Sequence, residues 1–235
     1  KMAYPIQSLK TAMVLAMLCL PIGLGVNVSY FLSGAIKRKK ISTSYLGLII
    51  SYSTILAVAV LTRIVHPEWV RIRLDVLGIM TATVLGIVCI CIEYLAGVLL
   101  TLFFTRQRVF KLSVHSVYSD TQKADMWDVV FIGVFVILEE LVFRTAVINI
   151  LFGLEFPTVA IVVIAISVFA LNHVQWGLFA LIQKMFSGCV FVLLYLLFDY
   201  NILIPVIAHC VQNYTLLWLR KPERLEILGR RRKNE

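Results

Sequence analysis

Seven runs of apolar residues, each close to the length of a helix that crosses a bilayer, dominate this sequence. They fall at approximately 11–34, 45–65, 76–104, 127–152, 157–175, 177–198 and 202–219. A hydrocarbon core of roughly 30 Å needs about 20 such residues in helical form. Lipid admits only helices or closed barrels, and these runs are about twice the length of barrel strands. The expected fold is therefore all-α, a polytopic transmembrane helical bundle of about seven spans. The third run is long enough to tilt or extend beyond the membrane. Arg63, Arg71 and Arg73 leave room for an eighth, partial helix. Composition agrees, since 60% of the 235 residues are hydrophobic and 15% are charged, whereas soluble domains hold about 45–50% and about 25%.

The distribution of basic residues gives an orientation. With the N-terminus outside, the inner side holds Lys37, Arg38, Lys39, Lys40, Arg106, Arg108, Lys111, Lys123 and the basic residues of 220–235. The outer side holds Lys1, Lys10, Arg63, Arg71 and Arg73. Lys and Arg concentrate in cytoplasmic loops, so the expectation is N-out and C-in. The same rule explains the net charge of +9 by lipid head groups, and no nucleic-acid partner is expected. The chain divides into N-terminal helices of unassigned role (1–125), a chemically distinctive core (126–219) and a basic tail (220–235). No cleavable signal peptide is expected. Cys19, Cys89, Cys91, Cys189 and Cys210 all sit in apolar runs with no disulfide or zinc framework, and the first four read as small buried hydrophobes. Trp69, Trp127, Trp176 and Trp218 fall near proposed interfaces, as in an aromatic belt.

Ionisable residues deep in a span cost about 2.5–3.5 kcal/mol each on insertion scales, so each needs a reason. The fourth run contains Glu139, Glu140 and Arg144. Glu140 and Arg144 are four apart, on one helical face, and can pair. Glu139 points about 100° away and has no obvious partner on its own helix. The fifth run ends at Asn172-His173, and the last carries His209 and Asn213, again four apart. Polar groups on apolar helices avoid lipid by facing the bundle interior, so these should converge. Glu139 can accept a proton from water, and a neutral His173 can hold that water in line. His209 and Asn213 can donate to the oxyanion of a tetrahedral intermediate. That describes an amide hydrolase without a Ser or Cys nucleophile. Two histidines and a carboxylate could instead ligate zinc, although no His-Glu-x-x-His spacing is present. Glu93 and Lys184 are a conceivable interhelical ion pair. Cys210 has no role that requires a nucleophile.

Glu139-Glu140-x-x-x-Arg144, then Phe169-x-x-x-His173, then His209-x-x-x-Asn213 resemble the three motifs of the CAAX protease and bacteriocin-processing family, over about residues 125–220. The resemblance implies an intramembrane endopeptidase, related to the CAAX prenyl protease 2 type. In it Glu139 and His173 activate water, His209 and Asn213 form the oxyanion hole, and Glu140, Arg144 and Phe169 support them. No cofactor and no metal are expected. The partners implied are a lipid bilayer and a membrane-associated peptide or protein substrate. The short loops favour the bacterial members, which act in peptide maturation, signalling or bacteriocin immunity, in the bacterial cytoplasmic membrane. Processing of prenylated proteins, a transporter with the same polar groups, and a non-catalytic immunity scaffold stand as alternatives. One geometric difficulty follows. At about 1.5 Å per residue, a ladder of straight helices separates His173 from His209 by ~14 Å in depth. Tilts, or a last helix that begins before Asn201, have to close that gap.

Overall fold

The computed structural model describes residues 3–19, 25, 43–105, 126–174 and 177–219. The basic cluster at 37–40, the loop 106–125, Trp176 and the tail from 220 lie outside them. The described residues are all-helical, with no strand beyond an isolated bridge between Arg71 and Asn201. The helices are α1 (Ala3–Cys19), α2 (Thr43–Leu61), α3 (Val76–Thr105), α4 (Met126–Glu140), α5 (Val147–Gly153), α6 (Thr158–Leu171), α7 (Leu178–Leu197) and α8 (Leu203–Leu219). α1 begins at Ala3, eight residues before the first apolar run, and the bounds of the other helices follow their runs to within a few residues where they are described. The segment around Arg63, Arg71 and Arg73 forms only a 3₁₀ turn at Pro67–Trp69.

The fourth run departs from a single regular span. Residues Leu141–Ala146 form a π-helical turn between α4 and α5, and the Val147 amide donates to the Val142 carbonyl, five residues back. Such wide turns occur within α-helices, often at functional sites.

The helices alternate between two ends of the bundle. At one end, the Ile202 amide donates to the Arg71 carbonyl at 2.9 Å. The Asn201 amide brackets Arg73, donating to its carbonyl at 2.8 Å and accepting from its N–H at 3.2 Å. Asp199 pairs there with Arg71 at 3.3 Å and Arg73 at 2.8 Å. The turn that makes these contacdts possible places Asp199 and Tyr200 at φ of 55° and 59°. Tyr200 is held by ring contacts with Tyr195 and Phe152. At the other end, the Asn172 side chain donates to the Cys19 carbonyl at 2.8 Å and ties α6 to α1.

Two helical segments, Val76–Leu100 and Leu178–Leu197, are long and apolar enough to cross a membrane. Length and composition alone would also fit a core helix of a soluble protein, but only 17% of the most apolar stretch of α3 is buried. Val76, Leu77, Met80, Val84, Ile87, Leu95, Leu99 and Phe103 are exposed on it. A continuous apolar face of this size suits lipid rather than water. It also corrects one expectation: Cys91 is exposed, because it points to this outer face and not to the core. Cys89 is buried as expected.

The inner side of α3 packs against α7 and α8. Gly86 permits the approach to α8, since a Cβ there would lie 2.5 Å from the Ala208 carbonyl oxygen. Backbone cannot move aside as a side chain can. Gly86→Ala should therefore cost about 1–3 kcal/mol, the usual range for overpacking, and lower the unfolding midpoint in detergent. An unchanged midpoint would mean that α3 and α8 do not meet this closely. Farther along α3, Glu93 pairs with Lys184 of α7 at 2.9 Å, an interhelical ion pair that the sequence left only conceivable.

Candidate active site

Glu139 is the penultimate residue of α4, with its side chain buried, and Glu140, also buried, ends the helix and leads into the π-turn. Adjacent residues on a helix diverge by about 100°, and the ring of His209 fits into that divergence. Its Nδ1 lies 2.7 Å from Glu140 Oε1, and its Nε2 lies 3.8 Å from Glu139 Oε2. Glu140 turns its other oxygen to Arg144, whose Nε is 3.0 Å away in a fully buried ion pair. The predicted pair is therefore present and is one half of a longer chain, Arg144–Glu140–His209.

His173 stands two residues beyond α6. Its Nδ1 is 2.9 Å from the Phe169 carbonyl, one turn back. A carbonyl oxygen only accepts, so Nδ1 carries the proton, and in a neutral ring Nε2 presents its lone pair. That Nε2 lies 3.8 Å from Glu139 Oε1. The two histidines thus face the two oxygens of one carboxylate, and neither oxygen has a hydrogen bond among the described residues. A spacing of 3.8 Å is too long for a direct hydrogen bond and suits a bridging water. The two histidines reach the same carboxylate although α8 starts at Leu203, so an earlier start of the last helix is not what closes the depth gap.

Aromatic rings hold the charged groups in place. The Arg144 guanidinium lies 4.4 Å from the centre of the Phe169 ring and 5.5 Å from that of Phe191. Phe191 stacks on His209 at 4.8 Å, and Phe169 contacts His173 at 4.9 Å. Arg144 stacked on aromatic faces gains a cation–π attraction that strengthens on desolvation. Gly188 lets α7 come this close, because a Cβ there would be 2.8 Å from Phe169 Cδ1.

Six of the seven residues picked from the sequence, namely Glu139, Glu140, Arg144, Phe169, His173 and His209, meet in this one cluster. Asn213 follows His209 by one turn on α8 and is half-buried. Cys210 is also half-buried and has no part in the cluster's hydrogen bonds and ion pairs. Sequence reading missed Phe191, an apolar residue on an apolar helix with nothing to distinguish it. It also passed over Gln212, which is fully buried three residues after His209 and makes no hydrogen bond among the described residues. A glutamine in an apolar run was the available signal. No group of three or more His, Cys, Asp or Glu among the described residues is arranged to hold a metal ion.

A buried carboxylate whose oxygens make no hydrogen bond among the described residues, two histidines aimed at it and an apolar helical surround bring together groups of the kind that activate water. The comparison with known families points the same way. Residues 122–215 match the family described as Type II CAAX prenyl endopeptidase Rce1-like, a segment that contains every residue of the cluster. Over that segment, the chain is similar to the CAAX protease and bacteriocin-processing family. No curated protein and no solved structure matches the chain.

Proposed function

We propose that the protein is a glutamate-dependent intramembrane endopeptidase. The observation that carries this reading is Glu139, buried, with both oxygens unbonded and a histidine Nε2 at 3.8 Å from each. A water held between Glu139 and His173 would lose its proton to one of them as it attacks the scissile carbonyl. His209 has committed its Nδ1 proton to Glu140. Its Nε2 therefore donates to the developing oxyanion only when the ring carries two protons, with Glu139 and Glu140 on either side of it. Asn213 supplies the second donor from the next turn. The substrate is a membrane-associated peptide or protein that enters from the end of the bundle bearing His173. With N-out and C-in topology across seven spans, that end is cytoplasmic. The family description favours a CAAX-type substrate. Bacterial peptide maturation, signalling or bacteriocin immunity, in the cytoplasmic membrane, stands beside it.

Asn213→Ala tests the oxyanion role. Turnover should fall by about 10²–10³-fold while substrate binding changes little. A non-catalytic scaffold predicts that binding and protection survive the substitution, and a transporter predicts no peptide product from either protein. Chelation that removes activity, restored by zinc, would replace the metal-independent route.

A further inference from the structure

The end of the bundle opposite His173 holds a cavity of about 720 Å³ between the start of α1, the end of α2 and the end of α5. Lys10, Arg63 and His66 line it, together with Thr11, Asn149 and Trp69, and none of its lining residues is acidic. His66 contacts Glu68 outside the cavity at 3.3 Å and the ring of Trp69 at 5.1 Å. Neither Lys10 nor Arg63 has an ion pair among the described residues. Arg63 is also strained. It caps the C-terminal end of α2 at φ 56°, a left-handed conformation where glycine or asparagine is the usual choice. The floor is polar, since the Asn149 amide donates to the Thr145 carbonyl at 2.7 Å and reaches Tyr195 Oη at 3.3 Å. The rim is apolar, because Leu9, Met13, Leu61 and Leu154 are exposed beside the cationic residues.

We propose that this cavity binds the phosphate of an anionic phospholipid, with its acyl chains along the exposed apolar face of α1. Lys10 and Arg63, gathered in a lining that holds no acidic residue, select phosphate. A rim of exposed apolar side chains at the end of a membrane helix selects a phosphate that carries hydrocarbon. Basic pockets between membrane helices bind lipid head groups in this way, at about fivefold in affinity per cation near the surface. The volume is within the usual range for a ligand site. The site is separate from Glu139 and does not depend on the proposed catalysis.

The test uses the full chain, delipidated in detergent, with phosphatidylglycerol, phosphatidylcholine or glycerol 3-phosphate added. Phosphatidylglycerol at tenfold over its Kd should raise the unfolding midpoint by about 3–6 °C, and phosphatidylcholine should do less. Lys10→Gln with Arg63→Gln should weaken phosphatidylglycerol binding by about 25-fold. Lys10→Arg with Arg63→Lys, which keeps both charges, should retain it. Native mass spectrometry of lipid adducts reads the same preference where a variant is less stable. Equal shifts from the two lipids, or a neutralised variant that still prefers phosphatidylglycerol, would overturn the proposal. Equal protection by glycerol 3-phosphate would make this a soluble-phosphate site and overturn the lipid assignment.

Discussion

Glu139→Gln should lower peptide cleavage by about 10²–10⁴-fold, the span that general base catalysis contributes, and leave the fold as stable as before. The two halves of that expectation separate function from structure. A carboxylate that locks helices together would destabilise the protein when neutralised. Glu139 accepts no hydrogen bond among the described residues and stands 3.8 Å from each histidine, so its charge is buried without close compensation. Removing such a charge relieves a desolvation cost. The unfolding midpoint should therefore hold or rise while the product disappears. Cleavage at the parent rate by folded Glu139→Gln would dispose of the mechanism. Loss of activity together with a fallen midpoint would return Glu139 to a structural role.

Arg144→Met should produce the opposite pattern, a large loss of stability. It strands Glu140 as a buried charge, and breaking one side of a buried ion pair costs about 3–5 kcal/mol. It also removes the guanidinium from the Phe169 and Phe191 rings. Neutralising both partners in Glu140→Gln/Arg144→Met should recover part of that loss, because no charge is left unpaired. Unfolding in detergent measures both. A double variant less stable than Arg144→Met alone would show that Glu140 contributes chiefly through His209, at 2.7 Å, and not through Arg144.

The convergence of these groups was legible because charge in an apolar run admits few explanations. Glu139, His173 and His209 announced themselves by cost alone, and the spacing of Glu140 and Arg144 gave their ion pair. The apolar runs gave the helices, since the length of a span is set by the bilayer and not by subtle propensities. What the sequence withheld is geometry that arises between helices. Nothing in Leu141–Ala146 advertises a π-turn, because its residues suit an α-helix equally well. The bond from His209 to Glu140 depends on how α8 meets α4, which a ladder of straight, independent helices omits. Phe191 was hidden for the opposite reason to Glu139, since a phenylalanine among apolar neighbours costs nothing and so calls for no explanation.

The wide turn at Leu141–Ala146 carries a consequence for how the rod from Met126 to Gly153 is read from end to end. A turn closed five residues back, in place of four, amounts to one residue inserted into an α-helix, which advances everything beyond it by about 100°. The half that bears Glu139 is thus phased to α2 and α8, and the half that follows is phased to α1 and α6. Each half keeps its own angular origin, so the face that bears Glu139 answers to one set of neighbours while the face beyond the turn answers to another.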